Sequence, residues 1–187
     1  MAVPADAFPW HPGPWTLDEV IALPEDNGQR VELIDGTLVV SPSPTPTHQR
    51  VLQLLIVALL NTVPPELEVL PGVNAVLGQQ RRLLIPDLVV TNRPGHTDLY
   101  FTGDQIVLAA EILSPSTRAY DRILKRQLYA EAGIGYYLVV DPAPATPPLA
   151  TLLRLDGEDY REDVRSTDGL LRIERPFPIE VDLGAGR

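Results

Sequence analysis

Three segments of this chain, LLIPDLVVT, QIVLAAEIL and GYYLVVDP, are nearly continuous apolar runs of strand length. Such runs suit strands covered on both faces, as at the centre of an α/β sheet, because a half-wet strand would alternate apolar and polar residues. The fold must therefore supply a layer on each side of these strands. Two of the runs also carry a carboxylate where the pattern calls for an apolar side chain, Asp87 in the first and Glu111 in the second. Burying an unpaired carboxylate costs several kcal/mol, so each acid needs a cation, a proton or several donors beside it.

The remaining segments supply the covering layers. TLDEVIALPE predicts a short helix with Thr16 as N-cap, Leu17, Val20 and Ile21 on one face and Pro24 as the stop. RVELIDGTLVVSP reads as a hairpin turning at Asp35-Gly36. His48 to Asn61 has the spacing of a largely buried helix, and LEVLPG is a further strand candidate. A helix is expected from Thr117 to Ala132, ended by Gly133, with GYYLVVDP following as an interior strand. From Leu149 onward the chain alternates around the Asp156-Gly157 and Asp168-Gly169 turns, which predicts an antiparallel extension. The expectation is an α/β fold with a mixed β-sheet flanked by helices. It is read as a single domain over residues 1–187, with an irregular N-terminal arm at 1–15 and a β-rich extension at 149–187.

Composition removes several function classes. The chain has no cysteine, which excludes disulfides, thiolate metal sites and thiol nucleophiles and fits an intracellular, cytoplasmic protein. MAVPADAFPWHPGPW does not read as a secretory leader, and VLQLLIVALL is too short to span a bilayer, so no membrane association is expected. The net charge of -10 works against unspecific adhesion to nucleic acid, so any such partner requires a local basic patch. The proline clusters SPSPTP and DPAPATPP read as stiff loops between elements.

Asp87 and Glu111 have three possible neutralising partners: a divalent metal, an arginine, or a proton held by a shifted pKa. Hard oxygen donors without sulfur favour Mg²⁺ or Mn²⁺, and an ion held by two carboxylates keeps positions for water and phosphate oxygens. That layout serves metal-assisted phosphodiester hydrolysis. Glu32 in VELIDG is a third acid among apolar neighbours, unless it sits on the outer face of its hairpin.

Lys125 is the only lysine beside fourteen arginines. Lysine can be desolvated and handle a proton where arginine stays charged, so a retained lysine points to a site that needs an amine. An α-helical wheel groups Ala119, Tyr120, Ile123, Leu124 and Ala130 as the apolar face and leaves Lys125 outside it. There it adjoins Asp121 at i−4, with Arg118, Arg122 and Arg126 forming a basic stripe. The plainer reading of that face is a solvated Asp121/Lys125 pair worth about 0.3 kcal/mol.

The ordered segments VELIDGTLVVSPSPTPTHQRV, IPDLVV and AAEILSPSTRAYDRILKRQLYAEAGIGYYLVVDP resemble the Uma family of putative restriction endonucleases, a branch of the PD-(D/E)XK nuclease superfamily. The resemblance implies a restriction-endonuclease-like fold and a divalent metal held by Asp87 and Glu111. It implies catalytic roles for Asp87, Glu111, Lys125 and Glu32, with Glu32 completing the metal shell. The superfamily lysine two residues after the second acid is Leu113 here, and its role falls to Lys125 on the following helix. His48 matches a recurrent position, there to contact a phosphate, hold Glu32 or cap the helix; Arg118 and Arg122 are implied as flanking phosphate contacts.

The implied activity is Mg²⁺- or Mn²⁺-dependent hydrolysis of nucleic acid, DNA before RNA, and a homodimer would suit a double-strand cutter. The alternative is a catalytically silent nuclease-like module for binding or assembly, which the missing lysine and the acidic charge favour. A sugar-phosphate or nucleotide enzyme ranks third, because DGTL, PGVNAVLG and EAGIG match neither glycine-rich phosphate loop.

Overall fold

Thr16 opens the first helix: its side chain accepts from the Glu19 backbone N–H, while the Glu19 carboxylate accepts from the Thr16 backbone N–H. This reciprocal capping satisfies amides that a helix of one turn leaves orphaned. The structure is a computed structural model that describes residues 11–23, 30–114, 120–142 and 147–185. Pro24, the expected stop, lies outside those residues; α1 (Leu17–Ile21) ends before it, with Leu17 and Val20 buried as expected. Asp35 and Gly36, both at positive φ, form the tight turn between β1 (Arg30–Ile34) and β2 (Thr37–Ser41). Among the described residues, no helix is long and apolar enough to cross a membrane.

The strands divide between two large sheets and a small one. The first sheet has the order β2-β1-β5-β4-β7, adding β4 (Ala75–Leu77), β5 (Arg82–Leu84) and β7 (Phe101–Thr102) to the hairpin. The second runs β11-β10-β9-β8-β6-β3. It comprises β3 (Glu68–Pro71), β6 (Leu88–Thr91), β8 (Ile106–Ile112), β9 (Tyr136–Asp141), β10 (Leu149–Asp156) and β11 (Asp159–Arg165). Within it β8 and β9 are parallel and the other neighbours antiparallel. The third is the hairpin β12 (Leu170–Ile173) and β13 (Ile179–Asp182).

The α/β class with mixed strand directions and flanking helices is as the sequence implied, but the division into three sheets was not. LLIPDLVVT is not one strand. It leaves the first sheet after Leu84 and joins the second at Leu88, crossing between the sheets at Ile85-Pro86-Asp87. Proline has no N–H to give to a ladder, so Pro86 marks the point where pairing is interrupted.

Both faces of the six-stranded sheet are covered, which explains the apolar runs. Helix α2 (Pro46–Leu60) and the β12-β13 hairpin pack Val51, Leu55, Leu59, Phe177 and Val181 against Leu88, Val90, Leu108 and Leu138. On the other face, helix α3 (Arg126–Glu131) and the five-stranded sheet bring Leu128, Tyr129, Ala75 and Leu84 against Val89, Ala109 and Tyr137. At the inter-sheet crossing Pro86 and Asp87 are buried and Ile85 is partly so.

Candidate active site

Leu88 pairs with Ala110, so one step further along the antiparallel ladder Asp87 stands opposite Glu111. Like charges facing each other across a sheet destabilise it unless something positive intervenes. Each acid does have cationic company. The Arg30 guanidinium donates from Nη1 to Asp87 Oδ1 at 2.6 Å, the Ile112 backbone N–H donates to Oδ2 at 2.8 Å, and His48 Nε2 lies 3.2 Å from that second oxygen. Glu111 Oε1 accepts from Lys125 Nζ at 2.8 Å and from the Tyr129 hydroxyl at 2.7 Å. Glu32 Oε1 accepts from the Ile85 N–H at 2.8 Å and lies 2.9 Å from Lys125 Nζ; its Oε2 accepts from the Tyr120 hydroxyl at 3.1 Å.

Glu32 is therefore not on an outer hairpin face: it is wholly buried at the inter-sheet crossing. Lys125 is not on a solvated face either. Its residue exposure is 3%, and its single nitrogen bridges Glu32 and Glu111. The side chain of Asp121, its expected partner, is outside the described set, as are Thr117, the expected helix start, and Arg118. The α-helical wheel fails here because Tyr120–Lys125 is a π-helical turn leading into α3. Its i→i+5 bonding closes on the fifth residue, so Tyr120 and Lys125 share a face. Lys125 Nζ accordingly sits 5.5 Å from the centre of the Tyr120 ring, within cation–π range. Ile123, assigned to the apolar face by the wheel, is 71% exposed.

The basic stripe is not an open one. Arg122 Nη2 donates to Asp141, a buried acid at the end of β9, at 2.7 Å, and Arg126 pairs with Asp159 and the Tyr160 carbonyl. His48 neither caps its helix nor holds Glu32. Thr45 is the cap of α2, accepting from the His48 N–H, and the His48 ring is turned to Asp87.

The electrostatics leave the site acidic. Burial pushes the His48 pKa below its ordinary 6.5, with Asp87 opposing and Arg30 assisting, so the imidazole is neutral at pH 7. Burial works against the charge on Arg30, but the fields of Asp87, Glu111 and Glu32 outweigh it and raise its pKa. Tyr120 and Tyr129 are raised by burial and then by Glu32 and Glu111 respectively, which keeps both hydroxyls as donors. Among the described residues, three carboxylic acids thus face two basic side chains, Arg30 and Lys125, so acidic groups outnumber basic ones.

The sequence reading brought Glu32, Asp87, Glu111, Lys125 and His48 to this place and missed Arg30, Tyr120 and Tyr129. Arg30 was visible in outline: it lies two residues before Glu32 on one strand and so shares its face. Tyr129 follows Lys125 by one helical turn. Tyr120 needed the π-turn.

A metal can be tested against these groups. Among the described residues, no cluster of three or more His, Asp or Glu side chains gathers to hold an ion, and Glu32 anchors Lys125 instead of completing such a shell. What the site offers is two hard oxygen donors on facing positions and more acidic than basic side chains. That donor set fits Mg²⁺ or Mn²⁺ with water filling the other positions.

A family model described as Uma2, "Putative restriction endonuclease", matches residues 17–185. A solved structure described as a putative nuclease belonging to DUF820, from Anabaena variabilis, is similar at a TM-score of 0.68 and 19% identity. The match covers 92% of this chain and 99% of that one, and it shows a shared fold. No curated protein matches the chain.

Proposed function

The chain belongs to the Uma2 family, described as putative restriction endonucleases, and on that premise we propose that it is a divalent-metal-dependent nuclease cutting phosphodiester bonds in DNA. The observation that carries this reading is the burial of the only lysine between Glu32 and Glu111, with Glu111 also a member of the Asp87–Glu111 pair. Asp87 and Glu111 would hold Mg²⁺ or Mn²⁺. When bound, such an ion supplies an acidified water and an electrostatic sink for phosphoryl charge.

The protein's own residues do the rest. Glu32, itself anchored by the Ile85 amide, holds Lys125 so that its ammonium offsets charge developing on the phosphoryl oxygens. Tyr129 fixes the Glu111 carboxylate, and His48 with the Ile112 amide fixes Asp87. Arg122, steered by buried Asp141, is half-exposed and suited to a flanking phosphate. A homodimer would suit cutting of both strands of a duplex.

The rival is a silent binding module, favoured by the Arg30 clasp on Asp87. Mn²⁺ titration calorimetry and plasmid cleavage separate the two. We expect ion binding and divalent-dependent nicking in the native protein, both lost in Asp87→Asn while circular dichroism is unchanged. Absence of ion binding by the native protein defeats the nuclease reading and leaves the module.

A further inference from the structure

Arg30 stands where the charge of a metal is wanted. It starts β1, two residues before Glu32, and its guanidinium reaches past Gly72 to Asp87 Oδ1 at 2.6 Å. Its side chain is 31% exposed, whereas those of its acidic neighbours are nearly sealed, so it spans the interval between site and solvent. The carboxylates whose fields act on it are Asp87, Glu111 and Glu32, the three acids of the site. Asp87 Oδ2 already faces both the Ile112 amide and His48 Nε2, whereas Oδ1 faces the mobile end of one long side chain, Arg30, and is the oxygen to offer an incoming ion.

We propose that Arg30 is a placeholder cation: it neutralises Asp87 in the resting protein, yields Oδ1 to the divalent ion, and then turns its freed guanidinium to the phosphate of the nucleic acid. The inference rests on the nuclease reading and adds to it an exchange that sets the order of binding, ion before substrate. A guanidinium suits both states, because its planar fork matches carboxylate and phosphate alike and its charge persists throughout. The exchange also keeps the two groups apart in charge balance, since Asp87 is paired before and after. Arg30 would touch substrate only in the loaded state.

The test uses Arg30→Gln and the native chain. By Mn²⁺ calorimetry, Arg30→Gln binds the ion about ten-fold more tightly, the equivalent of one charge-assisted hydrogen bond no longer broken on binding. In Ca²⁺, which suppresses turnover, the same variant binds a duplex oligonucleotide about ten-fold more weakly. On the native chain, the Arg30 guanidinium ¹⁵N resonances move on Mg²⁺ addition with the midpoint found by calorimetry, a measurement that stands even if the variant does not fold. Equal Mn²⁺ affinity in both proteins overturns the exchange. So does tighter binding with unmoved resonances, which would mean that Arg30 merely repels the ion from a distance. Unchanged duplex affinity removes the phosphate role. If neither protein binds an ion, the nuclease reading itself has failed, and that result is distinct from the others.

Discussion

Lys125 shows at the scale of one residue why this chain keeps a lysine. A single ammonium nitrogen reaches Glu111 at 2.8 Å and Glu32 at 2.9 Å from one point, a geometry that the spread fork of arginine does not reproduce. Removing one partner of a buried ion pair typically costs about 3–5 kcal/mol, because the remaining charge has no water to turn to. Lys125→Met should therefore lose about that much in urea denaturation at neutral pH. The loss should shrink as pH falls, since the two buried carboxylates left without their cation can then take up protons in the folded state. His48 gives the opposite sign. Its folded pKa lies below 6.5, so between the two values the unfolded chain binds more protons and native stability falls as pH is lowered. Replacing His48 with Gln should flatten that part of the profile, as read from urea midpoints between about pH 7.5 and about pH 5.

At the scale of an element, the π-turn decides what the site contains. In an α-helix, residues five apart are separated by roughly 140° around the axis, so Tyr120 would point away from Lys125. The π-turn returns it to the same face, where its hydroxyl holds Glu32 and its ring lies beside the ammonium. The cost is the exposure of Ile123. Substituting Ile123 with Gln should change stability by no more than about 0.5 kcal/mol, as expected of a surface position. Tyr120→Phe should cost about 1 kcal/mol for the lost hydrogen bond. A larger penalty at Ile123 than at Tyr120 in chemical denaturation would mean that the segment packs as an ordinary α-helix.

For the molecule as a whole, the net charge of -10 and the acidic site push in one direction: a bound divalent cation relieves repulsion that the folded state otherwise carries. An ion that binds only the native state stabilises it by mass action, about 2.7 kcal/mol at a hundred times its dissociation constant. For a chain of this size that raises Tm by about 5–10 °C. Scanning calorimetry with and without Mn²⁺ should show the rise in the native protein and none in Asp87→Asn. An equal rise in both would place the ion elsewhere.

What the sequence determined by itself was whatever depends on local pattern. Apolar runs announced strands covered on two faces, glycine turns announced hairpins, and Thr16 announced a helix start, because each follows from neighbours in the chain. Acids out of place in Asp87 and Glu111, and an unusual lysine, announced a site before any contact was known. Only the tertiary structure decided who answers them. Splitting LLIPDLVVT between two sheets put Asp87 at their junction, and the fold carried Arg30 across fifty-seven positions to meet it. The π-turn likewise set Tyr120 beside Lys125, against its α-helical period. Charge pairing over such separations depends on how layers stack, and no periodicity within a single element encodes that.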